Sequence, residues 1–368
     1  TSAQSYTGPT VINQGNLVLS VITNHSANTS YQPLQGKISV NTNGILSFGG
    51  NNYYNQLGGN ASGFNKPITP VELNGGTIDS SDTVTTFSNL VVNGGTLRST
   101  GGFAGGTAWG SFVLLGTVQV NADAAFLNLS GSYNAITPGA WSGNQTVTFA
   151  ITNNATLTNQ IPLQDYDASH KYSVLKTGSG TLTLSATNSH SGTTTINAGT
   201  LLVETNGRIS SSAVTVNSNG VLRVNGSVSS SVTVAGGGQV EGRGTISSMN
   251  VQSNGVLKIS AQHFDTNGVW DTGASITFSA GSKIDMGSLT NLKKIYLLKA
   301  TSISATLPTL SPANPNFTVA TENGYLVCRS VAMTNNPGGI YLYQFSTTGA
   351  QSTKYDVPAH TWWDTMFP

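Results

Sequence analysis

Residues 174–203 read VLKTGSGTLTLSATNSHSGTTTINAGTLLV, and the second half of this stretch occurs twice in the chain. Residues 1–19, TSAQSYTGPTVINQGNLVL, align with 185–203 without a gap. Ser5 matches Ser189, Gly8 matches Gly192, Thr10 matches Thr194 and Ile12 matches Ile196. Asn13 and Asn197, Gly15 and Gly199, and Leu17 and Leu201 continue the match. Such internal self-similarity points to a repeat architecture before anything else. Only the second copy has the lead Lys176-Thr-Gly-Ser-Gly-Thr-Leu-Thr-Leu-Ser185. The first coil is therefore expected to lack its opening strand.

Composition narrows the class. Only 8% of the 368 residues are charged, the net charge is +1, and 43 residues are glycine; ordinary globular chains carry about 25% charged residues. Polar low-complexity chains are often disordered, but those usually combine high net charge with few β-branched residues. Here Val, Ile and Thr recur in alternating runs, which favours repetitive β structure. No basic stripe exists, so nucleic acid is excluded as a partner. No run of ~18 apolar residues exists, so no transmembrane segment is expected. No secretory leader is present, which fits a mature secreted chain or an incomplete one. Cys328 is alone, so no intrachain disulfide forms.

One unit recurs along the chain: a short alternating strand, a corner of Asn or Ser with Gly, and a second short strand. It appears at Val11–Leu19, Ile38–Phe48, Leu90–Leu97, Val214–Val224, Val232–Val240 and Val251–Ile259. Weaker versions lie at 71–78, 118–129, 147–157 and 276–286. Alternation gives each strand one buried and one wet face. Asn-Gly corners also suit two-residue hairpins, which would build a meander or sandwich. Steps of roughly 17–21 residues, with longer ones of roughly 26–32, favour a solenoid, as do strands too short to bury a core alone. Roughly 13–16 coils at ~4.8 Å each predict a rod of roughly 60–75 Å. The runs near 49–70 and 100–117 read as loops leaving one side of it.

The segment 174–203 resembles the passenger-associated repeat of bacterial autotransporters. That pattern runs Lys-x-Gly-x-Gly-Thr-Leu-x-Leu, then Asn-x-Tyr-x-Gly-x-Thr, then a Gly-x-Leu close. His190 stands where the pattern has Tyr, whereas Tyr6 keeps it. Lys294–Leu307 more loosely resembles the segment that closes many passenger helices, and Tyr325–Arg329 and Tyr341–Phe345 the strands that follow. The resemblance implies an all-β, right-handed parallel β-helix (β-solenoid), exported to the extracellular space or bacterial cell surface. It implies no activity, since the repeat occurs in adhesins, in proteases and in proteins of no assigned role. The expected organisation is a β-helix over 1–290, capping strands over 291–346 and an aromatic tail over 347–368. The expectation from the sequence as read is a passenger whose membrane barrel was removed or that never had one.

Candidate chemistry is sparse. Asp165-Tyr-Asp167, beside His170 and Lys171, is the best acidic grouping; Asp79/Asp82 and Asp265/Asp271 are others. Paired carboxylates serve glycoside hydrolysis, and a base with a cation serves elimination. A polar turn ahead of the repeat explains Asp165 and Asp167 better. The histidines are dispersed without zinc spacing, and no nucleophile elbow occurs. No catalytic, cofactor-binding or metal-binding residue is assigned. Tyr53, Tyr54, Phe64, Phe103, Trp109 and Phe112 concentrate in the two long loops, as sugar or protein contacts or as local caps of the core.

The leading expectation is a non-enzymatic structural subunit that stacks head-to-tail with copies of itself. Tyr6, Ile12 and Leu17 would form one side of that contact, and Tyr341, Tyr343, Trp362, Trp363 and Phe367 the other. The alternatives are a monomeric adhesin-like passenger, whose loop residues Tyr53, Tyr54, Phe64 and Trp109 meet cell-surface glycans, and a carbohydrate-active β-helix enzyme.

Overall fold

The computed structural model describes residues 6–20, 34, 36–49, 69–80, 85–100, 111–129, 134–139, 143–259, 270–286, 294–313, 315 and 317–330. Every regular element among them is a strand. Most belong to one 27-stranded sheet wound on itself, and four form a separate sheet. Strands close in sequence sit side by side around a coil, and each hydrogen-bonds to its counterpart one coil away. A whole coil separates partners, so all the named strand pairs in the large sheet are parallel. The chain is a parallel β-helix.

Three files of strands run along it. The first begins Thr10–Ile12, Ile38–Asn41, Val71–Asn74 and passes through Tyr172–Thr177, Thr194–Ile196 and Val214–Val216 to Ser302–Ile303. The second begins Gly15–Ser20, Gly44–Gly49, Thr77–Asp79 and reaches Thr309–Leu310 through Thr181–Leu184 and Gly199–Val203. The third is shorter and includes Thr187–Asn188 and Arg208–Ile209. Thr85–Ser99 and Phe112–Asn128 are long bent strands that run through the files with irregular register. Roughly thirteen rungs at ~4.8 Å make a rod of roughly 60 Å.

The alternation in the sequence accounts for the interior. Leu157, Leu182, Leu201, Leu222, Val240, Leu257 and Ile284 stack in register and are all fully buried. Corners need a left-handed residue, which a short polar side chain tolerates. Asn43, Asn219 and Asn254 take φ of 69°, 67° and 59° there, each before a glycine. The loop expected up to residue 117 ends earlier, because strand begins at Phe112. Phe112 is a core residue rather than a loop contact: its ring lies 6.1 Å from Phe87, which lies 6.4 Å from Phe48.

The smaller sheet orders Trp270–Asp271, Lys294–Lys299, Tyr325–Ser330 and Phe317–Glu322. Its first pair is parallel and the other two antiparallel. Asn323 and Gly324, both at positive φ, make the tight turn between the last two strands. Cys328 is buried there. No described helix is long and apolar enough to cross a membrane.

Candidate functional site

Side-chain chemistry concentrates at the corner between the first two files. Asn41 Nδ2 donates to Asn13 Oδ1 at 2.8 Å, and Asn74 Nδ2 to Asn41 Oδ1 at 3.1 Å. Asn93 donates to Asn74 and Asn121 to Asn93, each at 2.8 Å. Thr152 Oγ1 then donates to Asn121 Oδ1 at 3.0 Å. Each carboxamide from Asn41 to Asn121 thus donates to the coil before it and accepts from the coil after it. The ladder resumes where Asn217 Nδ2 donates to Asn197 Oδ1 at 2.8 Å.

Between these two runs lies Lys176. Tyr172, Val174 and Lys176 share one parity of their strand, and all three point into the core. The Lys176 ammonium donates to the carbonyl oxygens of Thr177 at 2.8 Å, Gly178 at 2.9 Å and Ala198 at 3.1 Å. The last belongs to the next coil, so the lysine ties two levels together where the ladder is absent. Burial lowers its pKa to about 8. Gly199 makes the space: its φ is +68°, and a Cβ there would lie 2.8 Å from Nζ.

His190, on the same level, is also fully buried. Its Nε2 lies 2.9 Å from Thr194 Oγ1, which lies 2.8 Å from Ser212 Oγ on the next coil. Its Nδ1 is buried with no hydrogen-bond partner. Burial lowers the ring pKa to about 4, against the upward pull of Asp165.

The acidic pair occupies a turn. Asp165 accepts the Tyr172 N–H at 2.7 Å, the Ser191 N–H at 3.0 Å and the Ser191 hydroxyl at 2.6 Å. Asp167 accepts the Ser169 and His170 N–H groups, and its Oδ1 lies 2.7 Å from His170 Nδ1. The His170 bond comes first among the causes that lower the Asp167 pKa. Asp167 therefore holds its own turn, and Asp165 holds that turn and the coil beside it. Asp79 pairs with Arg98 at 2.8 Å and Asp271 with Lys299 at 3.0 Å; Asp82 and Asp265 lie outside the described residues. Among the described residues no group of three or more His, Cys, Asp or Glu gathers at metal-binding distance.

Of the expected end residues, Tyr6 is half exposed, Leu17 half-buried against the core and Ile12 buried in it. Tyr341, Tyr343, Trp362, Trp363 and Phe367, and the loop residues Tyr53, Tyr54, Phe64, Phe103 and Trp109, lie outside the described residues. Sequence reading missed the neighbours of Tyr6, Val11 and Val18, which stand outward at 56% and 50% exposure. Their parity, opposite to Ile12 and to Leu17 and Leu19, was the available signal.

The passenger-associated-transport-repeat family matches residues 1–19 and 174–203. The chain carries the passenger-associated-transport repeat twice. Both matches carry the same two strands, Thr10–Ile12 with Gly15–Ser20 and Thr194–Ile196 with Gly199–Val203. They differ at the aromatic position. Tyr6 is exposed and its hydroxyl donates to Pro9 O at 3.2 Å, whereas His190 is sealed inside. Among solved structures, a TibC-catalyzed hyper-glycosylated TibA fragment is similar at 13% identity and a TM-score of 0.32, over 84% of this chain and 98% of that one. No curated protein matches this chain.

Proposed function

We propose that this passenger-repeat protein is a non-enzymatic structural rod of the cell exterior, whose first coil stacks on a second copy of the chain. The observation that carries this reading is where apolar side chains meet water. Tyr6, Val11 and Val18 are three of the four large exposed hydrophobics on the described surface, and all three lie on the first coil. Among the described residues, strands Thr10–Ile12 and Gly15–Ser20 pair on one side only. An unpaired apolar strand edge is a template for another chain. Pairing one end of a rod to the other is heterologous and does not close, so it yields filaments.

Sedimentation and electron microscopy of the purified chain test this. The native chain forms end-to-end filaments as concentration rises, and Val11→Lys with Val18→Lys leaves single rods. Native chains that stay single at high concentration sink the stacking. A glycan array tests the remaining sequence expectation, that the aromatic loops meet cell-surface sugars.

A further inference from the structure

Two buried titratable side chains, Lys176 and His190, share the level formed by the second repeat copy. Their environments differ. The lysine has three carbonyl acceptors. The histidine has one ring bond, to Thr194, and its second ring nitrogen is buried with no hydrogen-bond partner; the Leu163 carbonyl and Asp165 favour the charged ring without outweighing its burial.

We propose that His190 is an acid-sensitive latch: a proton taken up by its ring releases the strands on either side and turns one level of the rod into a joint. This goes beyond the structural role and does not rest on it. The ring is held by a relay that crosses coils, His190 to Thr194 to Ser212. Ser230 Oγ in turn donates to the Ser212 carbonyl, so the relay anchors three successive levels. A charged ring needs two acceptors, and only one nitrogen makes a hydrogen bond. An unpaired N–H on a buried cation is among the costliest arrangements in a core.

Asp165 is the charged group that acts on the ring from the preceding coil. Its oxygens already accept from Tyr172 and Ser191, so its favourable charge comes without a direct bond to Nδ1. The other polar groups around the ring, the Thr194 and Ser212 hydroxyls and the Leu163 carbonyl, are uncharged, though the carbonyl also favours the charged ring. Desolvation therefore wins, and the closed ring binds a proton only near pH 4. The opened ring binds one near 6.5. Between these values the open form holds a proton that the closed form refuses, so opening gains as pH falls. The elements that part are Thr187–Asn188 and Thr194–Ile196, paired to Arg208–Ile209 and Val214–Val216.

Hydrogen exchange read by mass spectrometry, corrected for intrinsic rates, tests this on the full chain. Between pH 7 and pH 4 the opening equilibrium of peptides within 187–216 should rise on the order of 100-fold. Peptides within 118–128 and 232–251 should change far less. His190→Gln keeps an amide toward Thr194 without a titrating ring, and should reduce the rise to under about 3-fold. Equal acid-dependent opening in native and variant chains, or none in the native chain, overturns the proposal. Should the variant fail to fold, the native ring's NMR titration decides. A His190 that titrates near 6.5 with exchange still slow overturns the latch, and one that titrates only as the level opens supports it.

Discussion

Lys176 is the least expected side chain in this interior. A lysine seldom stays fully buried unless paired, and here the pairing comes from backbone carbonyls rather than a carboxylate. Its pKa falls from 10.5 to about 8 because the ammonium has left water. The sign of the consequence is definite. Between pH 8 and 10.5 the unfolded lysine keeps a proton that the folded one has shed, so stability rises with pH across that window. Urea melts at pH 8, 9 and 10 should show this rise in the native chain and not in Lys176→Met. Part of this was legible beforehand, since Val174 and Lys176 share the inward parity of an alternating strand. The acceptors were not: Gly178 and Ala198 come from two different coils and meet only once the chain has wound.

At the scale of the element, the corner asparagines differ in what they hold. Asn74 donates to Asn41 and accepts from Asn93, whereas Asn13 accepts once, from Asn41. Losing a partnered polar group strands its neighbours, at about 1–3 kcal/mol where those groups are buried. Asn74→Ala should therefore lower unfolding free energy measurably more than Asn13→Ala, as read by urea melts under one set of conditions. Asn with a Gly within three residues marked the corners at Asn13, Asn41, Asn74 and Asn93 in the sequence, but not the one at Asn121. The direction of the ladder is not legible there, because a carboxamide donates and accepts equally well until its neighbours fix it. Phe112 shows the converse failure. A Gly- and Trp-rich run precedes it, so local composition reads loop, while stacking on Phe87 from the previous coil makes it strand and core.

For the molecule as a whole, strand pairing joins only adjacent coils, although the Tyr172 hydroxyl reaches past one coil to the Leu114 carbonyl, and stability becomes close to a sum over levels. Substitutions in distant coils should then add. Leu222→Ala, in the fully buried leucine stack, should cost about 2–5 kcal/mol. Combined with Asn74→Ala, the double variant should match the sum of the singles within about 0.5 kcal/mol. Asn74→Ala with Asn93→Ala should not, because one bond joins them. Double-mutant cycles from denaturant melts decide both cases. The repeat phrase made the solenoid legible from two short stretches, 1–19 and 174–203. The bent strands Thr85–Ser99 and Phe112–Asn128 were less so, since their register shifts depend on contacts between coils.

A stack of near-identical rungs can be miscounted. The four asparagines Asn41, Asn74, Asn93 and Asn121 each donate to one coil and accept from the next, and a chain that skipped a coil would still satisfy most of its ladder. Lys176 is not interchangeable. Its ammonium fits only where two corners offer free carbonyls and a glycine leaves room, and Gly178, Ala198 and Gly199 supply that at one height. Winding out of step by one coil would leave a bare cation in hydrocarbon. The buried lysine thus serves as an index mark, the point from which the levels on either side are numbered.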